Sequence, residues 1–470
     1  MKGEKKITAE ILQQLIPSQA WEYRLMPYGE AAGTLLCYGD AERDWDKLAA
    51  EVQVIIGRKI RVTPTEKEEV LRLLKQHYRQ QRGSAAAEAA AIPGEKFLMR
   101  LIGEAHRGYA SDIHFEIYEE RCRVRMRIDG RLVERYVIER HNYPALVNQI
   151  KILANLDISE KRLPQDGRIF YRAGDERFDV RVSCLPTIYG EKVVLRLLTR
   201  HVELLDLENL GFSEKQLSDY IRAVQRPHGL VLISGPTGSG KSTTLYATLR
   251  LLNRETGNIL TIEDPVEYTL PGVNQVQLKE EIGLTFGSTL RTFLRQDPDI
   301  IMLGEIRDAD TAQMAIRSSL TGHLIFSTIH TNSAWGSVAR LIDMGAHPYL
   351  ISGTLILCVA QRLVRLLCPA CRERVAADAT VRRQVGESFS ADHHYRAVGC
   401  ENCYYTGYKG RKAIYEVIPV DRELSEAIRT GHDDIGLKLS QRGIVTLREA
   451  ALVLFRNGET SLEELLPQLQ

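Results

Sequence analysis

Two groups of residues in this 470-residue chain have types and spacings that do chemistry. The first is Gly235-Pro236-Thr237-Gly238-Ser239-Gly240-Lys241-Ser242, which fits G-x-x-x-x-G-K-[ST] between a predicted strand and a predicted helix. Glycines there let backbone N–H groups converge on phosphate oxygens, and the helix start adds about half a positive charge facing them. Lys241 is expected to reach the β- and γ-phosphates of ATP and Ser242 to ligate Mg²⁺, with Thr243 counted among the nucleotide-binding residues. The second group is Cys368-Pro369-Ala370-Cys371 with Cys400-Glu401-Asn402-Cys403, a C-x₂-C-x₂₈-C-x₂-C pattern. Each pair can turn two thiolates inward, and two such turns close a tetrahedron with no open position, so a structural Zn²⁺ is expected.

A phosphate cradle alone hydrolyses nothing. In Asp297-Pro298-Asp299-Ile300-Ile301-Met302-Leu303-Gly304-Glu305, an apolar strand ends on Glu305, where a Walker B acid holds Mg²⁺ through its water shell. Thr261-Ile262-Glu263-Asp264-Pro265-Val266-Glu267 puts further carboxylates at the end of another strand, the edge at which open α/β sheets bind ligands. One carboxylate can orient water while another serves the metal, and helix capping competes as a role for Asp264. Arg291 and Arg295, spaced i, i+4, share one face of a helix, which suits phosphate as well as solvent.

The elements that must position these groups follow from periodicity. Strands are expected at Gly229–Ser234, 258–262, Ile300–Leu303 and Leu324–Ile329, with helices over 242–253 and Ala309–Leu320. That alternation predicts a parallel sheet with crossover helices. Between 96 and 200 the period is two, with Asp129-Gly130 as a hairpin turn, the 186–190 segment as a second turn, and an α+β domain with a mostly antiparallel sheet as the outcome. Arg121, Arg123, Arg125 and Arg127 then line one strand face, read as solvated. Upstream, Thr65 is expected to cap a helix, with Glu68 completing a capping box. An alanine-rich stretch with no large apolar residue marks a linker. The resulting division is 1–82 (a detachable N-terminal domain), 83–94 (linker), 95–200 (α+β), 201–365 (P-loop core), 366–412 (zinc-binding) and 413–470 (C-terminal, helical).

Composition excludes several classes. With 62 Lys+Arg against 61 Asp+Glu, no global field steers the chain onto nucleic acid or an anionic membrane. No apolar run reaches the roughly 18–20 residues of a spanning helix. Residues 1–7 are charged and lack a signal-peptide core. A cytoplasmic location is expected, with no transmembrane segment and no direct nucleic-acid contact. Cys37, Cys122, Cys184 and Cys358 stand alone and are expected to be buried apolar fillers.

Taken together, residues 234–244, 261–268, 295–308 and 321–332 resemble the secretion ATPases of type II secretion and type IV pilus assembly. Ser111-Asp112-Ile113-His114-Phe115-Glu116, Leu163-Pro164-Gln165-Asp166-Gly167-Arg168 and residues 181–196 match as well. The resemblance implies a multidomain α/β chain, with a RecA-like P-loop ATPase domain, an upstream α+β PAS-like domain, a four-Cys zinc insert and a separate N-terminal domain. It implies a homo-hexameric motor, peripheral on the inner membrane when residues 1–82 dock on a platform protein. It also implies phosphate-clamping roles for Arg181, Arg196, Arg291 and Arg295, a water-orienting role for Glu263, the Walker B role for Glu305, a histidine-box role for His330 and a hinge near 199–209. Trp335 departs from the family, which has small residues there. A nucleic-acid-translocating or DNA-transfer ATPase is the competing expectation, since P-loop cores and zinc ribbons serve those machines too.

Overall fold

A computed structural model describes residues 11, 14–15, 17–31, 33–56, 58–77, 95–173, 176–198, 206–386, 392–431 and 435–469. The expected linker at 83–94 and the 199–205 part of the expected hinge lie outside them. The chain divides into two compact units, the first built mainly from Met1–Ile169 and Arg181–Arg196, the second mainly from Leu197–Ala397 and Tyr408–Gln470.

The first unit opens with a three-stranded sheet, β1 (Leu25–Ala31), β2 (Thr34–Asp40) and β3 (Lys59–Thr65), in which β2 pairs antiparallel with β1 and parallel with β3. Helices α1 (Trp45–Ile56) and α2 (Lys67–His77) supply Val52, Val70 and Leu74 to a core with Leu25, Met26, Leu35 and Cys37. Thr65 does not cap α2. It is the last residue of β3, its hydroxyl donates to Thr63 O at 3.1 Å, and the helix begins two residues later because parallel pairing with β2 extends through Asp40↔Thr65.

After α3 (Glu95–Arg107) comes a six-stranded sheet of β4 (Ala110–Ile117), β5 (Cys122–Ile128), β6 (Arg131–Ile138), β7 (Gln165–Ala173), β8 (Glu176–Thr187) and β9 (Gly190–Leu198), ordered β6-β5-β4-β9-β8-β7. The pairs β4–β5, β5–β6 and β4–β9 are antiparallel, as the α+β reading requires. Asp129 and Gly130 both have positive φ, 48° and 81°, the geometry of a tight two-residue hairpin. The second expected turn is shorter than 186–190, because Pro186 lies within β8.

The arginine stripe is solvated only in part, for Arg121 is exposed while Arg123, Arg125 and Arg127 are half-buried and paired. Arg123 and Arg125 reach Glu116 of β4 at 2.9 and 2.7 Å, and Arg127 and Arg196 flank Asp112 at 3.6 and 2.9 Å. Cross-strand register explains this, for Glu116 lies opposite Arg123 and Asp112 opposite Arg127, a complement that β5 read alone cannot show. Burial alone would raise the Glu116 carboxyl, yet hydrogen bonds from Arg125 and Arg123 outweigh it and lower it to about 2.

The second unit carries a seven-stranded sheet. It contains β10 (Gly229–Ser234), β11 (Ile259–Glu263), β12 (Asn274–Gln277), β13 (Ile300–Leu303), β14 (Leu324–Ile329), β15 (Leu355–Leu367) and, after the ribbon β16 (Glu373–Ala376) and β17 (His393–Arg396), β18 (Tyr408–Pro419). The order is β12-β11-β13-β14-β10-β15-β18, parallel except for β18. The expected boundary at 412/413 therefore falls inside a strand of the main sheet. β10 shows why its run is continuously apolar: Leu230 and Leu232 enter the core on one face, Val231 and Ile233 the core on the other. In the first unit, Lys151 of α4 (Tyr143–Leu153) is fully buried, 2.5 Å from Glu191 in charge contact without hydrogen-bond alignment, and donates to Glu160 O at 2.6 Å. Breaking this pair with Glu191→Ala strands a buried ammonium and should cost about 3–5 kcal/mol in urea unfolding followed by circular dichroism. The double variant Lys151→Met/Glu191→Leu should recover most of it. Equal losses in both variants would contradict the charge account.

Candidate active site

The phosphate loop follows β10 and runs into α6 (Lys241–Leu252), preceded by α5 (Glu214–Val224). Gly240 enters the helix with φ 89°, and a Cβ there would meet Gln361 Nε2 at 2.8 Å, so only glycine lets the loop close on β15. Gly235 is as confined: an added Cβ would lie 2.5 Å from Gln361 O. Ser239 Oγ is buried without a hydrogen-bond partner, a donor the loop leaves for something else. Lys241 Nζ folds back onto Gly235 O at 2.8 Å and Pro236 O at 3.1 Å. Burial pushes this ammonium below its ordinary value, with Glu305 opposing. Cradle, orphaned hydroxyl and desolvated cation together fit a polyphosphate.

The carboxylates stand at neighbouring strand ends. Glu305, two residues past β13, is gripped by Arg307 and lies 3.4 Å from His330 Nε2, just past β14. Arg307 also faces Asp264 at 3.7 Å, and its hydrogen bond to Glu305 raises its basicity further. Asp264 therefore caps no helix; it precedes a cis bond to Pro265 and shares a guanidinium. Glu263, 5% exposed, accepts from Thr261 Oγ1 at 2.6 Å, from Gln275 Nε2 at 3.1 Å and from the Tyr246 hydroxyl of α6. It is the most tightly held group of the site.

Among the expected phosphate clamps, Arg291 lies in α7 (Phe286–Phe293) and pairs with Asp310 of α8 (Ala309–Leu320) at 3.2 Å. Arg295 lies past the end of α7, donating to Arg291 O at 3.0 Å, so the two do not share a helical face. The helix stops because Asp297-Pro298 follows, with Asp297 at φ 50°. Arg291 and Asp310 line a cavity of about 310 Å³ together with Met314 and Arg317. Arg181 and Arg196 belong to the first unit, on β8 and β9, where Arg196 Nε donates to Asp112 at 2.9 Å.

Sequence reading left several neighbours without a role. Gln361 Oε1 accepts from Thr244 Oγ1 at 2.9 Å, and Arg362 Nη2 donates to Asn332 O at 3.2 Å. Their signal was a polar pair inside the apolar run of β15. Tyr246, Gln275 and Arg307 carried no comparable signal, since each is defined by a partner on another strand.

In the cysteine motif, Cys400 N and Gly407 N donate to Cys403 Sγ at 3.1 and 3.3 Å, and Cys371 N donates to Cys368 O at 3.2 Å. The sulfurs of Cys368, Cys371, Cys400 and Cys403 all lie within 4.8 Å of one another. Four sulfurs with N–H support for one thiolate are a donor set that fits Zn²⁺. The lone Cys37, Cys122, Cys184 and Cys358 are buried, as expected.

The sequence profile of the Type II/IV secretion system proteins matches residues 87–467. The chain belongs to that family. It is 46% identical over 377 residues to the Type II secretion system ATPase E of Vibrio cholerae, covering 79% of this chain and 74% of that protein. It is 45% identical over 421 residues to the Type IV pilus assembly ATPase PilB of Myxococcus xanthus, covering 87% and 71%. Its fold is also that of the Legionella pneumophila ATPase DotB (TM-score 0.58, 22% identity, 79% of this chain and 96% of that one). The ADP-bound pilus retraction motor PilT is similarly related (TM-score 0.56, 24% identity, 79% and 96%). This member of the Type II/IV secretion family is a P-loop ATPase of the secretion and pilus-assembly group. No helix among the described residues is long and apolar enough to cross a membrane. Metal analysis of the purified protein should find close to one zinc per chain, and Cys403→Ser, which removes the sulfur that receives two N–H groups, should lose it. A metal-free native chain would contradict the assignment.

Proposed function

We propose that this chain is the ATP-hydrolysing subunit of a homo-hexameric motor that drives protein secretion or pilus assembly, docked on an inner-membrane platform through residues 1–82. The observation that carries the reading is the convergence of the glycine cradle, Lys241, Glu305 and Glu263 at one edge of one parallel sheet. Residues 235–243 hold the nucleotide, Lys241 exchanges its loop carbonyls for the β- and γ-phosphates, and Ser242 and Glu305 hold Mg²⁺. That ion supplies charge neutralisation at the phosphates when bound.

Glu305 enters the site already oriented by Arg307 and His330. Glu263 is fixed by Thr261, Gln275 and Tyr246, and in this reading it orients the attacking water. Arg181, Arg196, Arg291 and Arg295 contribute phosphate-binding charge. The pairing of Arg196 with Asp112, and of Arg291 with Asp310, keeps these guanidinium groups compensated when no phosphate is present. The first unit is the PAS-like partner of the RecA-like second unit, Cys368, Cys371, Cys400 and Cys403 hold a structural zinc, and loss of the γ-phosphate is converted into domain movement.

Three substitutions test the assignment. Lys241→Ala should abolish ATP turnover with the fold intact. Glu305→Gln should bind ATP within about threefold of the native chain and lose at least about 100-fold in turnover, an oxyanion-scale effect. Arg196→Ala should reduce kcat more than nucleotide affinity. Native turnover in either of the first two, or equal loss of both parameters in the third, would refute the corresponding role.

A further inference from the structure

Gln361 and Arg362 are consecutive on β15 and so project to opposite faces of the sheet. On one face Gln361 meets Thr244 of α6, and Tyr415, paired with Gln361 across β18, lies 3.3 Å from the same hydroxyl. On the other face Arg362 Nη1 donates to Gln361 O at 3.1 Å and Nη2 to Asn332 O at 3.2 Å. A Cβ built on Gly235 would meet Nη1 at 3.2 Å. The guanidinium therefore touches both the first residue of the phosphate loop and the segment that follows His330.

Its charge is not compensated. Among the described residues no carboxylate lies within ion-pair distance, and burial lowers the guanidinium from its ordinary value, Glu416 opposing at longer range. Glu416 is a diagonal neighbour on the same face, 6% exposed, and accepts the N–H of Ala334. Burial raises its carboxyl toward the neutral form, so it is a weak counter-ion. Lys241 adds a second desolvated cation, lowered first by burial and further by the Arg362 charge, with Glu305 opposing. Lys241 also rests on Gly235 O, which marks the Gly235 end of the loop as the β/γ-phosphate end. Two poorly compensated cations beside one glycine loop call for a polyanion, and only Arg362 also holds the backbone of the next segment.

We propose that Arg362 is a positioning residue that reads the β/γ-phosphate charge of bound ATP and passes its presence to residues 332–335. The inference rests on reading 235–242 as a phosphate cradle. When phosphate draws the guanidinium, its bond to Asn332 O is exchanged, and Ala334, tied to Glu416, shifts with it. Trp335 immediately precedes α9 (Gly336–Asp343), makes no side-chain cap bond, and packs against the adjoining core, so it reports this movement.

The test uses the full-length chain with a non-hydrolysable ATP analogue and magnesium, followed by tryptophan fluorescence. Trp335→Phe serves to assign the signal, because Trp21 and Trp45 also emit. The native chain should show an analogue-dependent change that Trp335→Phe abolishes. Arg362→Gln should lose that change, with affinity for the analogue about tenfold weaker and affinity for ADP weaker by less than about threefold. Arg362→Lys should keep analogue affinity within about threefold of native but still lose the change, since one ammonium nitrogen cannot occupy the two separate positions from which Nη1 and Nη2 reach Gln361 O and Asn332 O. Native-like affinity and response in Arg362→Gln would overturn the proposal. If circular dichroism shows Arg362→Gln unfolded, a native-like response in Arg362→Lys overturns it alone. A native chain that binds no analogue sinks the cradle reading and this one together, whereas a native chain that binds, beside Arg362 variants that respond normally, sinks only this one.

Discussion

The Lys241 ammonium, drawn partly out of water and resting on the carbonyls of Gly235 and Pro236, is the charge around which the second unit is arranged. Withdrawing a cation from water is tolerable only where oxygens or opposite charge surround it. Two backbone carbonyls do this locally, Glu305 does it from the next strand end but one, and Arg307 with His330 keeps Glu305 from collapsing onto it. The site is thus only partly compensated without phosphate, and phosphate completes the balance. Such a balance suits a cycle in which nucleotide must arrive and leave.

The scaffold that permits this is the parallel sheet. Because both faces of β10 are covered, its side chains from Leu230 to Ile233 are all apolar and its polar work is done at and beyond the strand end. β11, β13 and β14 end at the same edge, so Glu263, Glu305 and His330 arrive there from separate stretches of sequence. β18 closes the sheet antiparallel and contributes Tyr415 to one face and Glu416 to the other. In the first unit the same logic works with opposite content, since a sheet face rich in arginine is made stable by Asp112 and Glu116 in register with it.

Much of this was legible in the residues. The phosphate loop, the strand ending at Glu305 and the cysteine pairs are local patterns, and local patterns survive reading without a fold. What was not legible is everything set by a partner distant in sequence. The arginines of β5 read as a wet face until β4 was placed beside them. Arg295 read as the helical companion of Arg291 until the helix stopped at Phe293. Arg362 has no role readable from its own strand, because its partners Gln361 O and Asn332 O and its neighbour Gly235 are set by the fold. Thr65 read as a cap because capping competes with pairing, and the parallel ladder to β2 prevailed.

The central claim is that the strand ends of the second unit form one polyphosphate site rather than a phosphate loop with unrelated carboxylates nearby. Hydrogen exchange of the full chain, measured by mass spectrometry with and without ATP and magnesium, tests it most directly. The account predicts slowed exchange together in 235–244, 261–267, 304–308 and 328–335. Protection confined to 235–244, with the carboxylate-bearing strand ends unchanged, would contradict it.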